Sequence, residues 1–234
     1  MAASFQLVPQ GIACHSYNKD RTRELVLGYC LQSNRINLNP YTWRRVDIAL
    51  SPNNNELVIY GGCEFAISSW KEKYRLGEHD MNISCIDWSH VTNQIVTCGH
   101  DRNAFVWTFN EGEAKWEPSL VILRIEHAAL HCRWSPNGKK FAVTSSSKCV
   151  QVCHYESDNK WWVSKQIKKP HKSSVLCVAW HPNNQLLITG AADFKCRLFS
   201  AYAPGNEATG RGPDYGTEQN IPFVGSSPLP FADM

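Results

Sequence analysis

Short apolar runs recur along this chain at a fixed distance, separated by polar stretches. Trp88, Trp134 and Trp180 lie 46 positions apart, and each of them closes a short apolar run. A polar turn follows each tryptophan, and then come a second apolar run, a tight turn and a third run. Short runs bounded by turn residues are typical of β-strands. The pattern therefore predicts an antiparallel meander of at least three strands in every repeat.

The turns between these predicted strands contain residue types that reverse a chain. Two of the polar stretches read SPNGKK and HPNNQL, and the tight turns fall at Asp101, Ser147 and Asp193. Proline fixes φ in such turns, while asparagine and glycine tolerate positive φ. Four-stranded units that repeat about every 40 to 45 residues are the blades of β-propellers, and one blade cannot bury both of its faces alone. We therefore predict an all-β propeller in which blades stack on their neighbours.

Two of the repeats also carry the same set of polar and aromatic residues. The second unit has His79, Thr97, Asp101 and Trp107, and the fourth has His171, Thr189, Asp193 and Phe199. These sets resemble the structural hydrogen-bond network of the WD-repeat family, which joins a loop histidine, a strand hydroxyl, a turn aspartate and a closing tryptophan. A buried imidazole is tolerated when its ring nitrogens meet such partners. The third unit keeps the histidine but has Val143, Ser147 and Cys153 at the other positions, so we expect no network there.

A first unit precedes these three and is interrupted. Residues 14–22 resemble the start of a blade and residues 47–60 resemble its remainder. Removing the 24 residues 23–46 would place Tyr17 and Tyr60 19 positions apart, which is the spacing within the second unit. We therefore hypothesise that residues 23–46 are an insertion. The alternative is a genuine strand pair in an unusual blade.

Composition and charge narrow the class of protein. Hydrophobic residues make up 43% and charged residues 19% of the chain, which favours a globular protein, and the net charge of +3 indicates no particular partner. The first residues do not form a signal peptide, and no window has 18 consecutive apolar residues, so we expect a cytoplasmic protein without membrane insertion. The ten cysteines form no CxxC pair. We predict reduced core thiols, with no metal site and no cofactor.

Catalysis and nucleic-acid binding are the other functions to consider. The chain has no Gly-rich phosphate loop, HExxH or GxSxG motif, and a His/Asp/Thr set that recurs in two repeats favours structure over catalysis. We therefore predict no catalytic residues. The segment WWVSKQIKKPHK could stack on bases and pair with phosphates, but alternation places Trp161 and Trp162 on opposite faces of an outer strand. One packed ring and one solvated ring are expected there, without nucleic-acid binding.

Several stretches are more specific than a generic repeat. They include CGHDRNAFVW (98–107), WWVSKQIKKP (161–170) and DFKCRLFSAY (193–202). With these runs the chain resembles the WD-repeat subunit, subunit 1, of the actin-related protein 2/3 complex across residues 12–22, 47–60 and 78–202.

The resemblance implies a seven-bladed propeller, of which this chain would hold about four blades within residues 1–202. It also implies a non-catalytic structural and regulatory subunit of an actin-nucleating complex that makes branched filaments in the actin cytoskeleton. Its partners would be the other subunits of that complex, the actin filament and nucleation-promoting activators. A generic WD-repeat adaptor is the alternative function. Residues 203–234 are rich in Pro, Gly and Ser, which predicts a disordered tail.

Partner contacts are expected beside the turn aspartates, because such turns line one end of a propeller and an exposed Arg or Phe there can anchor a partner. The candidates are His100, Arg102, Ala192, Phe194 and Lys195. Four blades with the curvature of a seven-bladed ring would also leave two terminal faces bare, so we expect marginal stability or self-association.

Overall fold

A computed structural model describes residues 12–17, 24–28, 47–50, 57–60, 74–168, 171–202 and 213–219, with only the backbone given before residue 74. The described ranges form sixteen β-strands and no helix, so none of their segments is a helix able to span a membrane. The strands are β1 (Ile12–Tyr17), β2 (Glu24–Gly28), β3 (Asp47–Leu50), β4 (Leu57–Tyr60), β5 (Ile83–Trp88), β6 (Ile95–Gly99), β7 (Asn103–Asn110), β8 (Lys115–Ile122), β9 (Ala129–Trp134), β10 (Lys140–Ser145), β11 (Val150–Glu156), β12 (Trp161–Ile167), β13 (Val175–Trp180), β14 (Leu186–Ala191), β15 (Cys196–Ser200) and β16 (Glu218–Gln219).

Three four-stranded antiparallel sheets make up most of the described chain. They have the orders β5-β6-β7-β8, β9-β10-β11-β12 and β13-β14-β15-β16, and we call them the second, third and fourth blades. The three anchoring tryptophans end the first strand of each blade, as the repeat predicted. The fold is an incomplete β-propeller, which confirms the predicted fold class.

The first unit contains two hairpins, in which β1 pairs with β2 and β3 pairs with β4. Strand β2 lies inside residues 23–46, the hypothesised insertion, and the Tyr17–Glu24 register begins its pairing with β1. The backbone there agrees with the strand pair considered as the alternative. The insertion itself stays a hypothesis.

The blades are arranged around a common axis. Their first strands lie side by side in chain order, since β1 contacts β3, β3 contacts β5, β5 contacts β9 and β9 contacts β13. One apolar cluster fills the space between the second and third blades, and another fills the space between the third and fourth. Most of the buried apolar residues thus lie where two blades meet, as the propeller prediction requires, and a third cluster is formed by residues of the second blade with Leu76.

Hydrogen bonds between neighbouring blades join residues 47 positions apart, one more than the 46-residue repeat. The carboxylate of Asp87 accepts the backbone N–H of Trp134 at 2.7 Å, and the indole N–H of Trp180 donates to the Arg133 carbonyl at 2.9 Å. Both bonds join residues 47 positions apart. Repeated bonds of this kind fix the stagger of one blade against the next.

A buried lysine also links the third and fourth blades. Lys140 is fully buried at the start of β10, and its ammonium donates to the Ala201 carbonyl at 2.9 Å. The same ammonium lies 5.5 Å from the centre of the Trp180 ring. A carbonyl and an aromatic face together offset part of the cost of removing a cation from water.

The segment expected to be a disordered tail departs from that prediction at residues 213–219. Strand β16 pairs with β15 and supplies the fourth strand of the fourth blade. The Tyr215 hydroxyl donates to the Lys165 carbonyl at 2.5 Å, and the Lys165 ammonium lies 4.0 Å from the Tyr215 ring centre. Composition does not indicate this strand, because its contacts depend on a sheet edge and a neighbouring blade formed by residues elsewhere in the chain.

The two neighbouring tryptophans of β12 divide as alternation predicted. Trp161 is 60% exposed, whereas Trp162 packs against Trp134 and Phe141 with ring centres 5.7 and 5.2 Å away. One ring therefore belongs to the core and the other to the surface.

Candidate functional site

The candidate site is the end of the propeller at which β6 turns into β7, β10 into β11 and β14 into β15. Beneath these turns lie the predicted polar networks, and above them lie the predicted partner-contact residues. The turns reach this end because the strands of each blade alternate in direction.

The second blade brings its four predicted network residues together. His79 Nδ1 lies 2.6 Å from Asp101 Oδ2, and His79 Nε2 lies 2.8 Å from the Thr97 hydroxyl. The Trp107 indole N–H donates to the same hydroxyl at 3.0 Å. Because a carboxylate can only accept, Nδ1 carries the proton of a neutral His79, and Thr97 donates to Nε2. The Phe105 ring stands edge-on to His79, with ring centres 4.7 Å apart.

The fourth blade places His171, Thr189 and Asp193 together and adds an arginine to them. His171 Nε2 lies 2.8 Å from the Thr189 hydroxyl, which donates to the Arg197 carbonyl at 3.3 Å. Arg197 Nη1 lies 2.6 Å from His171 Nδ1 and 3.1 Å from Asp193 Oδ2. His171 Nδ1 also lies 3.2 and 3.3 Å from the two carboxylate oxygens of Asp193, so this nitrogen faces a guanidinium donor and a carboxylate acceptor at once. The added guanidinium distinguishes this network from that of the second blade.

Phe199 replaces the closing tryptophan in the fourth blade. Phe199 has no N–H to offer Thr189, whereas Trp107 supplies one to Thr97 in the second blade. The ring of Phe199 instead lies edge-on to His171, with ring centres 6.3 Å apart. The Thr189 hydroxyl therefore has no indole donor, and its contacts are with His171 Nε2 and the Arg197 carbonyl.

The electrostatics of the fourth-blade network follow from these contacts. Burial lowers the pKa of His171, and the neighbouring Arg197 lowers it further, although Asp193 and Glu218 act in the opposite direction. The pKa of Asp193 is lowered, first by the backbone N–H of Lys172 and also by Arg197. The network thus holds a neutral imidazole beside an ionised carboxylate and a guanidinium.

The third blade lacks this network, as expected. Val143 replaces the network threonine and Cys153 replaces the closing tryptophan, and both side chains are fully buried. Burial raises the pKa of the Cys153 thiol. The Ser147 hydroxyl accepts the backbone N–H groups of Glu126 at 3.1 Å and His127 at 2.7 Å. Asp193 accepts the backbone N–H of Lys172 in the equivalent way. Ser147 therefore still joins the turn between β10 and β11 to the loop before β9, but its hydroxyl makes this link through the backbone and not through an imidazole ring.

The turns above the networks hold side chains in a strained backbone conformation. Arg102, Lys148 and Phe194 have φ values of 68°, 63° and 59° and lie 46 positions apart. Left-handed φ costs a residue with a Cβ about 1 kcal/mol or more. Phe194 is also 99% exposed, so its ring gains nothing from burial within this chain. Phe194 thus presents an aromatic ring to solvent at this end of the propeller.

The five predicted partner-contact residues are all exposed. His100 and Arg102 lie in the turn of the second blade, and Ala192, Phe194 and Lys195 lie in the turn of the fourth. The structure leaves each set in its own turn, with the Ser147–Lys148 turn between them in chain order. Their role in binding stays a prediction.

An open groove of about 400 Å³ lies beside the turn of the second blade. Its lining includes His100 and Arg102 from the turn, Asp80 and Met81 from the preceding loop, and Glu126 and His127 from the third blade. Charged side chains of both signs and one exposed methionine suit contact with a protein surface. Sequence analysis identified two of these residues and missed the rest, because the groove forms only when two blades meet.

The described residues contain no group of three His, Cys, Asp or Glu side chains placed to hold a metal ion. Arg197 is a further network residue that sequence analysis missed. Its equivalents in the other blades are Phe105 and Gln151, so the repeat gives no recurring residue type to mark this position.

Comparison with known proteins gives consistent results. The WD40 family model, described as "WD domain, G-beta repeat", matches residues 70–108 and 162–200. The chain is 45% identical over 197 residues, 84% of its length, to actin-related protein 2/3 complex subunit 1A-A of Xenopus laevis. It is 52% identical over 158 residues, 68% of its length, to actin-related protein 2/3 complex subunit 1A of Arabidopsis thaliana. Over 159 residues, again 68% of the chain, it is 41% identical to actin-related protein 2/3 complex subunit 1 of Schizosaccharomyces pombe. The matches cover 45% of the Xenopus protein and 41% of each of the other two, so the chain spans less than half the length of these curated relatives.

Proposed function

Because the chain carries WD40 repeats and is a relative of subunit 1 of actin-related protein 2/3 complexes, we propose that it is a non-catalytic structural subunit of such a complex. Its role is to hold other subunits in place during the nucleation of branched actin filaments. The single observation that carries this proposal is 45% identity over 84% of the chain to a protein named as that subunit. The same observation favours this function over that of a generic WD-repeat adaptor.

A structural role is consistent with the polar networks. His79 and Asp101 have side chains that are 2% and 6% exposed, and each is bonded within its own blade. A general base must reach the proton that it removes from a substrate. Side chains enclosed in this way are better suited to holding a turn in shape than to catalysis.

The turn surface is the proposed site of partner contact. Phe194 offers a fully exposed ring, and Lys195 beside it offers a charge. At the other turn, Arg102 lines the groove with His100. Aromatic and arginine side chains are the residues that most often dominate binding energy at protein interfaces. We propose the other subunits as the partners of this surface, and the actin filament and activators as partners of the assembly.

This proposal places the protein in the cytoplasm with the actin cytoskeleton. It is tested by expressing the tagged chain in cells and measuring whether the actin-related subunits co-purify with it. Recovery of those subunits in a fixed ratio is the expected result. Recovery of the tagged chain without them would overturn the proposal.

Two variants make the test specific for the turn surface. Phe194→Ser together with Arg102→Ser is expected to reduce co-purification at least about tenfold, since each removes an anchor of more than about 1 kcal/mol. Val91→Ser is the matched control, because Val91 is 65% exposed in the turn that joins β5 to β6 at the opposite end of the blade. Equal losses from both variants would contradict the assignment to this end of the propeller.

A further inference from the structure

The groove beside the turn of the second blade has a first wall that hydrogen bonds hold in place. This wall is the loop before β5, in which the Asn82 carbonyl accepts the backbone N–H of His100 at 2.8 Å. His79 of the same loop contacts Asp101, which lies in the turn between β6 and β7. Both bonds join the loop to the turn, so this side of the groove is shaped before a ligand arrives.

The second wall is the loop before β9, and the third blade holds it in a similar way. The Ser145 hydroxyl oxygen lies 3.1 Å from the His127 carbonyl oxygen and 3.0 Å from that of Ala128. Next to the groove, the Ser84 hydroxyl donates to the Ala129 carbonyl at 2.5 Å and thereby joins β5 to β9. The two walls therefore keep a fixed separation as well as a fixed shape.

Acidic side chains outnumber basic ones among the residues that line this groove. Asp80, Asp101 and Glu126 supply three carboxylates, whereas Arg102 supplies the one basic side chain when histidines are counted as neutral. The whole chain has a net charge of +3, so the groove is an acidic concavity on a chain with an excess of basic residues. A concave surface concentrates the field of its charges and attracts ligands of opposite charge.

Two of these carboxylates are available for a ligand. Asp101 is engaged by His79, but the carboxylates of Asp80 and Glu126 form no ion pair or hydrogen bond with any residue in the described ranges. Met81 lies in the same groove and is 62% exposed. The groove thus offers two unpaired negative charges together with an apolar side chain.

An arginine side chain matches these features better than a metal ion does. Carboxylates and imidazoles line the groove, yet the described residues contain no group of three His, Cys, Asp or Glu side chains placed to hold a metal. A guanidinium pairs with carboxylates through several N–H groups, and its methylene stem can cover an apolar neighbour such as Met81. Arginine is also among the residues that most often dominate binding at protein interfaces.

We propose that this groove receives an arginine side chain of a partner protein, with the guanidinium at the carboxylates of Asp80 and Glu126 and the stem against Met81. Arg102 is left to pair with an acidic side chain of the same partner. The identity of this partner, another subunit of the complex, rests on the proposed function, whereas the preference for arginine follows from the groove alone.

The test is an NMR titration of the nitrogen-15-labelled full chain with a short peptide that carries one arginine between glycine and serine residues. At low ionic strength, saturable shifts of the Met81 and His127 amides are expected, with a Kd on the order of 1 mM. Asp80→Asn and Glu126→Gln should each weaken binding about threefold to fivefold, as the loss of one exposed ion pair does. A peptide with glutamate in place of arginine should leave these amides unshifted.

Glu111→Gln is the matched control, because Glu111 is exposed in the turn between β7 and β8, at the opposite end of the blade. It should bind the peptide as the unchanged chain does, and the NMR spectrum of each variant checks that it is folded. Undiminished binding when Asp80→Asn and Glu126→Gln are combined would overturn the proposal, and so would the absence of saturable shifts.

Arg102→Ser separates this proposal from the proposed function. It is expected to reduce co-purification of the actin-related subunits, but it should not weaken binding of the arginine peptide, since it removes a like charge from the groove. Peptide binding without co-purification would count against the proposed function and support the groove. Co-purification without peptide binding would overturn the arginine site and leave the proposed function standing.

Discussion

The third and fourth blades have the same strand order but differ in the faces that they bury. All six residues of β10 in the third blade are buried, whereas β14 in the fourth blade has buried, half-buried and exposed positions. Ala142 and Ile188 occupy equivalent positions 46 residues apart, yet Ala142 is fully buried and Ile188 is 39% exposed. Equivalent positions in the repeat therefore differ in burial, depending on whether a neighbouring blade covers them. The repeat determines where the strands lie, and the packing of blades determines how much each side chain contributes to stability.

Substituting lysine at these two equivalent positions should show the largest difference in stability between the two blades. Ala142→Lys buries an unpaired charge against the fourth blade and should lower the free energy of unfolding by on the order of 3 to 5 kcal/mol or prevent folding. Ile188→Lys leaves its ammonium in water and should change the free energy by less than about 1 kcal/mol. Urea unfolding followed by tryptophan fluorescence measures both.

The same pair tests whether the open face drives self-association. Light scattering should show less association in Ile188→Lys than in the unchanged chain, because Leu176, Ile188 and Phe194 together expose apolar surface on this blade. Equal unfolding costs at the two positions would show that the fourth blade is covered in solution.

Exchanging threonine and valine tests the polar networks that distinguish the second blade from the third. Thr97→Val removes the partner of both the Trp107 indole and His79, and should cost about 2 to 4 kcal/mol of unfolding free energy. Val143→Thr adds a buried hydroxyl where no network exists and should cost about 1 to 3 kcal/mol. Thr108→Val is the exposed control in the second blade, for which a change below about 0.5 kcal/mol is expected.

Chemical denaturation of the three variants checks these values. A stabilised Val143→Thr protein would mean that the third blade can form the network after all, with His127 as its imidazole.

Residues 213–219 form a strap that joins the fourth blade to strand β12 of the third blade. Tyr215→Phe removes the hydrogen bond to the Lys165 carbonyl and keeps the ring, so it should cost about 1 kcal/mol. Tyr215→Ala removes the ring contact with Lys165 as well and should cost more. Amide hydrogen exchange of β15 and β16 is the local measurement, and unchanged exchange in both variants would argue against a strap.

The smallest expected effect is a dependence of stability on pH. As pH falls from about 7 to 5, the unfolded chain protonates its histidine at the ordinary pKa of 6.5, while His171 in the folded chain resists because burial lowers its pKa. The free energy of unfolding should therefore fall, by no more than about 1.4 kcal/mol per pH unit for this one group. Asp193 has a lowered pKa, so its stabilisation is present above about pH 4 and is lost in stronger acid.

His171→Gln separates the two titrations. It should flatten the slope between about pH 7 and 5 relative to the unchanged chain and leave the loss of stability in stronger acid. The same slope in both proteins would assign the acid sensitivity to other groups.

The sequence predicted those parts of the fold that recur in every repeat. The tryptophan spacing predicted the ends of β5, β9 and β13, and the His/Thr/Asp residues of the second and fourth units lie together in the structure. Physical regularity explains both results, because each blade repeats the same strand lengths and turns.

Features that occur once were not predicted. Strand β16 comes from a segment whose composition indicates disorder, and its pairing depends on a sheet edge formed by residues far away in the chain. Arg197 contacts His171 and Asp193, and no recurring residue type in the repeat marks its position. Long-range pairing and single substitutions leave no periodic signal in a sequence.

The hydrogen bonds between residues 47 positions apart affect how the protein unfolds. Each of them couples a blade only to the one that follows in the chain, so stability passes along a line of nearest neighbours. The third blade, which packs against both the second and the fourth, gives up two interfaces when it opens. Its backbone amides are therefore expected to exchange more slowly than those of the fourth blade.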